Sequence, residues 1–261
     1  MAERLFQRYA GIDYSGAGTP ETGLTGLRVY LSVADGEPVE IRPELDKRRH
    51  WSRRALHRWL AGFLAENIPT LVGLDHGLAF PEEYFERHHL ARQWRTFVGD
   101  FVTHWPTCHP GVTVQQVRDG VVGTGCQRLG DARWRRLCEK RAKAKSVFHF
   151  GVPGSVASST HAGLSWIGHL LDSPRCRTHF WPFDGWNPPR GQSVLAEAYP
   201  SLCSGLYPRA DRTPDQQDAY SLARWFEEMD GQGKLAKLFH PDLRPDESRR
   251  AELEGWILGV G

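Results

Sequence analysis

The sequence predicts an α/β protein on a mixed five-stranded sheet, three antiparallel strands followed by parallel ones, flanked by helices. Three observations carry this expectation. The chain opens with three short strand patterns joined by tight-turn residues. A helix-period segment then leads to a fourth apolar run, the order of a crossover connection. Late in the chain, a short apolar run over residues 194–200 precedes a helix with clear start signals. Residues 1–261 read as one domain, with residues 82–190 a long helical insertion before the fifth strand.

Residues 8–15 form the first predicted strand, a buried run that ends on Asp13. Ser15, Gly16 and Gly18 follow and let the backbone turn sharply beside that carboxylate. Two readings stand for Asp13: a turn cap, as Asp often is, or a costly buried acid held for chemistry. Leu27, Val29, Leu31 and Val33 alternate, which predicts a half-buried second strand. Asp35-Gly36 is a hairpin signal, and Val39-Glu40-Ile41 makes a short third strand.

Leu56, Trp59, Leu60, Phe63 and Leu64 recur at helical spacing, with Ser52 as the cap. Arg53, Arg54, His57 and Arg58 crowd the first half of this helix and read as a solvated face in preference to a phosphate-binding patch. Thr70 to Asp75 is a fourth buried run, again ending on an aspartate. A crossover places the fourth strand beside the first, so Asp13 and Asp75 meet at neighbouring strand tips. Two unpaired carboxylates in one cleft repel, so one must take a proton or a cation must sit between them.

The 82–190 segment is rich in Trp, His, Gly, Pro and Arg. Within it, residues 131–145 read as a strongly basic helix carrying Arg133, Arg135, Arg136, Lys140, Arg141, Lys143 and Lys145, and residues 163–171 as a second helix. Glu197 is an acid inside the fifth strand pattern, either a ligand facing Asp13 and Asp75 or a half-exposed strand glutamate. Thr213, Pro214 and Gln216 open the last long helix, whose apolar face is Ala219, Leu222, Ala223 and Phe226. Asp218 lies beside that face. Asp215, three residues earlier, shares the same side or simply answers the helix dipole.

Composition bounds the class. Hydrophobic residues are 40% and charged residues 25%, ordinary for a globular protein. A net charge of +2 is too small to argue for nucleic acid by itself. No apolar run reaches membrane-spanning length, and the first residues do not read as a signal peptide. Five scattered cysteines suit a reducing compartment better than a disulfide framework and do not match zinc spacing. The expectation is a cytoplasmic protein with no membrane partner. G-x-S-x-G, P-loop and dinucleotide-binding patterns are all missing from the sequence.

The order of elements is similar to that of the ribonuclease H-like fold, with acids at the strand and helix ends where that superfamily keeps metal-binding carboxylates. More closely, the chain resembles domain-of-unknown-function family 429, regarded as predicted nucleases of that superfamily. The resembling segments are Gly11-Ile12-Asp13, residues 73–81, Trp181-Pro182-Phe183, Glu197-Ala198-Tyr199-Pro200, Asp215-Gln216-Gln217-Asp218-Ala219 and residues 254–260. The Asp-x-x-Asp pair also resembles that of Holliday-junction resolvases. His76 departs from the family pattern, leaving a proton carrier, a metal ligand or filler as its roles.

These readings lead to a divalent-metal-dependent nuclease. Asp13, Asp75, Glu197 and Asp218 would hold Mg²⁺ or Mn²⁺, hard cations that prefer oxygen ligands, with Asp215 an outer ligand. Ser15, Arg136 and Lys145 would hold phosphate, and nucleic acid is the expected partner. Two alternatives stand beside it. One is an actin-like nucleotide-dependent phosphotransferase with a phosphate-facing turn at residues 13–18. The other is a non-catalytic protein that binds through the Trp- and Arg-rich insertion.

Overall fold

A run of consecutive buried residues needs cover on both faces, and Arg8–Asp13 has it as β1, in the interior of the sheet. The structure is a computed structural model describing residues 3–33, 35–43, 49–173 and 177–261. Strand β1 pairs antiparallel with β2 (Arg28–Val33), which pairs antiparallel with β3 (Val39–Glu40). Helix α1 (Arg53–Ala65) carries the chain back so that β4 (Thr70–Leu74) lies parallel to the other edge of β1. Ser52 caps α1 as expected, its hydroxyl accepting from the Ala55 amide at 3.2 Å.

Residues 82–190 supply α2 (Glu82–Arg87), α3 (Trp94–His104), α4 (Val114–Arg118), α5 (Leu137–Arg141), α6 (Ala157–Leu171) and β5 (His179–Phe180). The fifth predicted strand is β6 (Val194–Glu197), parallel to β4. Helix α7 (Pro214–Gly231), α8 (Leu235–Leu238) and α9 (Pro245–Glu254) complete the chain. Among the described residues the sheet therefore has six strands in the order β3-β2-β1-β4-β6-β5, one more than expected. The extra strand is the two-residue edge β5, too short to show any alternation in sequence.

Strand parity divides the sheet into two layers. Tyr9, Leu71, Val194 and Ala196 face α7 and the C-terminal tail, in a core with Leu222, Phe226 and Trp256. Ala10, Ile12, Val72, Leu74 and Leu195 face the opposite layer, where they meet Leu56 and Leu60 of α1, Phe97 and Phe101 of α3, and Leu164 and Ile167 of α6. Helix α7 lies directly on the strands because they carry glycines under it. A Cβ on Gly11 would stand 2.1 Å from the Ala219 carbonyl oxygen, and one on Gly73 would stand 2.5 Å from the Phe226 ring.

Two expectations need correction. The basic stretch 131–145 is not one helix. Only Leu137–Arg141 is helical. Arg136 is its extended N-cap residue, drawn into the interior by two glutamates, and Lys143 turns the chain at φ +53. The basic half of α1 is not a solvated face either. Arg53 is fully buried, Arg54 pairs with Glu21, and His57 packs on Trp166. Cys108, Cys138 and Cys203 are buried free thiols, while Cys176 lies outside the described residues.

Gly11→Ala is expected to destabilise by about 3 kcal/mol, the upper end of overpacking costs, because both nearest contacts are backbone atoms. Gly62→Ala, on α1 with nothing within 4 Å of its Cβ, should instead stabilise by about 1 kcal/mol through helix propensity. Urea unfolding of the two variants checks both signs.

Candidate functional site

The β1–β4 register pairs Gly11 with Gly73 and Ile12 with Leu74, so the next pair along is Asp13 with Asp75. The Asp75 amide donates to the Ile12 carbonyl at 3.0 Å, which carries the ladder up to the acids. Asp13 shares the parity of Gly11, and Asp75 that of Gly73, so both carboxylates face the α7 side of the sheet.

Helix α7 brings two more acids. Thr213 and Gln216 form a reciprocal capping box with Pro214 at the first helical position. This sets the start of the helix and so the place of Asp215 in its first turn and Asp218 one turn on. Asp215 borders Gly26 and Ser15: a Cβ on Gly26 would lie 3.6 Å from its Oδ2 and 4.0 Å from Ser15 Cβ. Asp218 lies beside the Ser204 side chain.

These four acids act on one another. Burial, followed by repulsion from Asp75, Asp215 and Asp218, lifts the Asp13 carboxyl to about 9. Burial, then Asp218 and Glu197, lifts Asp75 to about 8. Burial and then Asp215 raise Asp218. Among the described residues no cationic side chain forms an ion pair with Asp13, Asp75, Asp215 or Asp218. Their donor chemistry, all carboxylate oxygen, suits a hard divalent cation. Among the described residues, however, no three Asp, Glu, His or Cys groups converge closely enough to hold an ion as they stand.

Glu197 differs from the four in having a cationic partner, although its charge reaches Asp75. In the β4–β6 register it pairs with Leu74, and the position beside Asp75 falls to Ala198. A one-residue step flips the side chain to the other face. Glu197 is instead held by Arg136 through two bonds of 2.6 Å, and it accepts from the Leu78 amide at 3.2 Å. Its expected role as a free metal ligand is replaced by that of an anchor joining β6, the turn after Asp75, and the insertion.

Arg136 is likewise corrected as a phosphate-binding residue. It is wholly buried, with Nε on Glu139 at 3.0 Å and both terminal nitrogens on Glu197. Its charge is consumed by those two carboxylates. Lys145 stays near the acids: it lines a small cleft with Asp75, Tyr199 and Gly154, although its ammonium donates to the Pro153 carbonyl. Tyr199 carries no role of its own in the sequence, where it stands only within the resembling segment Glu197-Ala198-Tyr199-Pro200.

Ser15 sits at the rim, its hydroxyl accepting weakly from the Ala17 amide at 3.4 Å. The turn that holds it is gripped from inside by Arg53, whose guanidinium donates to the carbonyls of Ser15, Ala17 and Gly18 at 3.2, 2.5 and 2.9 Å. Arg53 precedes Leu56 by three residues and Leu60 by seven, so it lies on the apolar stripe of α1, a signal readable in the sequence. Gly16 is pressed on the first turn of α6, where a Cβ would come within 2.2 Å of Ser158. His76 is buried on the face away from the carboxylates and is not one of their partners.

Two outcomes follow from this geometry. The metal-free folded state keeps protons on Asp13 and Asp75 up to about pH 9 and 8, whereas unfolded carboxyls lose them near pH 4. Stability should therefore fall as pH rises across that window, and Asp13→Asn should flatten the fall. Thermal melts from pH 5 to 9 measure it. Glu197→Gln should cost about 3 kcal/mol, because it strips one partner from a buried guanidinium, yet leave Mn²⁺ affinity nearly unchanged. A ligand role would give the reverse pattern.

Compared with protein-family models, curated proteins and solved structures, the chain matches none.

Proposed function

We propose that the chain is a divalent-metal-dependent phosphodiesterase acting on nucleic acid, on a ribonuclease H-like fold. The observation that carries the reading is the set of Asp13, Asp75, Asp215 and Asp218, which the fold gathers and leaves without a cationic partner among the described residues. Proteins seldom keep several carboxylates desolvated and mutually repelling unless a cation or a proton settles the charge. The strand order and the helix-borne acid pair support the fold assignment.

Asp13 and Asp75 would be the central oxygen ligands, with Asp218 beside them and Asp215 at the rim next to Ser15. Since no three groups already converge, loading requires their side chains to re-orient. When bound, such an ion would supply an activated water and charge stabilisation for the leaving oxygen. Lys145, on the cleft wall shared with Asp75, is the one proposed phosphate ligand whose position still supports that role besides Ser15. Arg53 holds the turn after β1 in place from within.

The phosphotransferase alternative rests on the turn at residues 13–18. The carbonyls of Ser15, Ala17 and Gly18 in that turn accept from Arg53, and Gly16 lies against α6.

The test compares Asp218→Asn and Asp215→Asn in melts with and without Mn²⁺, beside a nuclease assay. Asp218→Asn should be no less stable than wild type without metal, since it relieves repulsion, and should bind Mn²⁺ more weakly. Asp215→Asn should lose up to about 1 kcal/mol from the helix dipole and affect metal less. If the wild-type melt ignores Mn²⁺ between pH 7 and 9 and no nucleic acid is cut, the reading is wrong. Nucleic-acid binding, where found, should weaken steeply with salt.

A further inference from the structure

At the far ends of the strands from the carboxylates, a cleft of about 710 Å³ opens where α1 ends and β5 and β6 begin. Asn67 comes before β4, Arg177 before β5 and Ser193 before β6. These three strands run parallel, so the cleft and Asp75 lie at opposite ends of the sheet. Its size falls within the roughly 300–1,000 Å³ of small-ligand sites. Three arginines line it, each from a different segment: Arg95 of α3, Arg177, and Arg190 of the turn before β6. Against their guanidiniums the lining sets one carboxylate, Asp184.

The frame of the cleft is tied together. The His179 amide donates to the Ser193 carbonyl at 2.9 Å, and the Gln192 side-chain amide donates to the Arg177 carbonyl at 2.9 Å. The backbone that carries Arg177 is thus held, while its guanidinium has no hydrogen bond or ion pair among the described residues. Asp184 accepts from the Phe180 amide at 2.9 Å and from Arg95 at 2.7 Å, so it orients one wall. Arg190 meets Glu3 at 2.9 Å, but both side chains are largely exposed, and such a pair is screened by water and yields to a competing anion.

A guanidinium presents a planar fork of donors that matches two oxygens of a phosphate group. These three come from separate segments, and two of them are paired to Asp184 and Glu3. They do not form the unbroken basic track that the backbone of a polyanion follows, and they suit a compact anion. We propose that this cleft binds a small phosphate-bearing anion, a phosphate ester of nucleotide size or smaller. Arg177 is its free anchor, and Arg95 and Arg190 flank it. The site uses none of the four aspartates, so it stands or falls apart from the metal reading.

The test titrates inorganic pyrophosphate and ATP into the full chain by calorimetry, at neutral pH and low salt. EDTA is present throughout, which keeps the outcome separate from that of Mn²⁺ loading. Arg177→Gln is the main variant; its side chain is exposed and unpaired among the described residues, so its melt should match that of wild type. Wild type should bind at least one of the two anions, and Arg177→Gln should bind it about tenfold more weakly, the loss of one charge-assisted hydrogen bond. Arg190→Gln should weaken binding in the same direction, and it takes the place of Arg177→Gln if that variant melts lower. No binding of either anion by wild type, or binding undiminished in Arg177→Gln, overturns the proposal. So does binding of a single-stranded oligonucleotide that Arg177→Gln abolishes while pyrophosphate and ATP do not bind, since the cleft then holds a polymer backbone.

Discussion

The seating of α7 on β1 and β4 is the constraint from which the site follows. Gly11 and Gly73 leave no side chain between strand and helix, so the α7 backbone reaches the sheet at Ala219 and Ala223. That close approach puts the first turns of α7 over the strand tips, and with them Asp215 and Asp218. A bulkier residue at either glycine would lift the helix and part the helix acids from the strand acids. The packing does not depend on the carboxylates, because the buried face of α7 is apolar and its start is set by the Thr213–Gln216 box. A helix placed this way can carry charges that repel one another, the repulsion being offset by contacts elsewhere.

A second, charged knot ties the insertion to this frame. Arg136 is shared between Glu139 and Glu197, while Glu254 of α9 accepts from the amides of Leu137 and Glu82. The C-terminal tail then runs beside β6, the Leu258 amide donating to the Glu197 carbonyl at 2.9 Å. Buried ion pairs add little net stability, but leaving one partner alone is costly, so such a knot fixes one arrangement of segments. Its carboxylates share a buried guanidinium, which the arrangement at Asp13 and Asp75 lacks. Of two adjoining acidic neighbourhoods, one thus holds an arginine and the other has no cationic partner among the described residues.

The contrast between those neighbourhoods separates paired from unpaired acids better than burial does. Glu197 and Asp13 are 4% and 8% exposed, yet only Asp13 lacks a guanidinium. Arg53 offers the same lesson for cations: its charge is spent on three backbone carbonyls that shape the turn after Asp13. In each case the partner, not the residue type, assigns the role.

Local patterns in the chain sufficed for much of this. Alternation and apolar runs marked β1, β2, β4 and β6, since a strand buried on one or both faces must repeat accordingly. Ser52, Thr213, Pro214 and Gln216 marked the starts of α1 and α7, because capping is a local hydrogen-bond matter. The crossover implied by α1 was enough to set β4 beside β1 and to bring Asp13 to Asp75. What the sequence left open was decided by register and by long-range partners. Whether Glu197 or Ala198 stands beside Asp75 depends on a single-residue offset between strands more than a hundred positions apart in the chain, and no local pattern encodes it. The burial of Arg136 depends on glutamates from its own short helix and from β6, so one residue of a stretch that reads as a basic helix turns inward only in the folded chain. The edge strand β5 exists because β6 offers its backbone, and that offer is a property of the sheet alone.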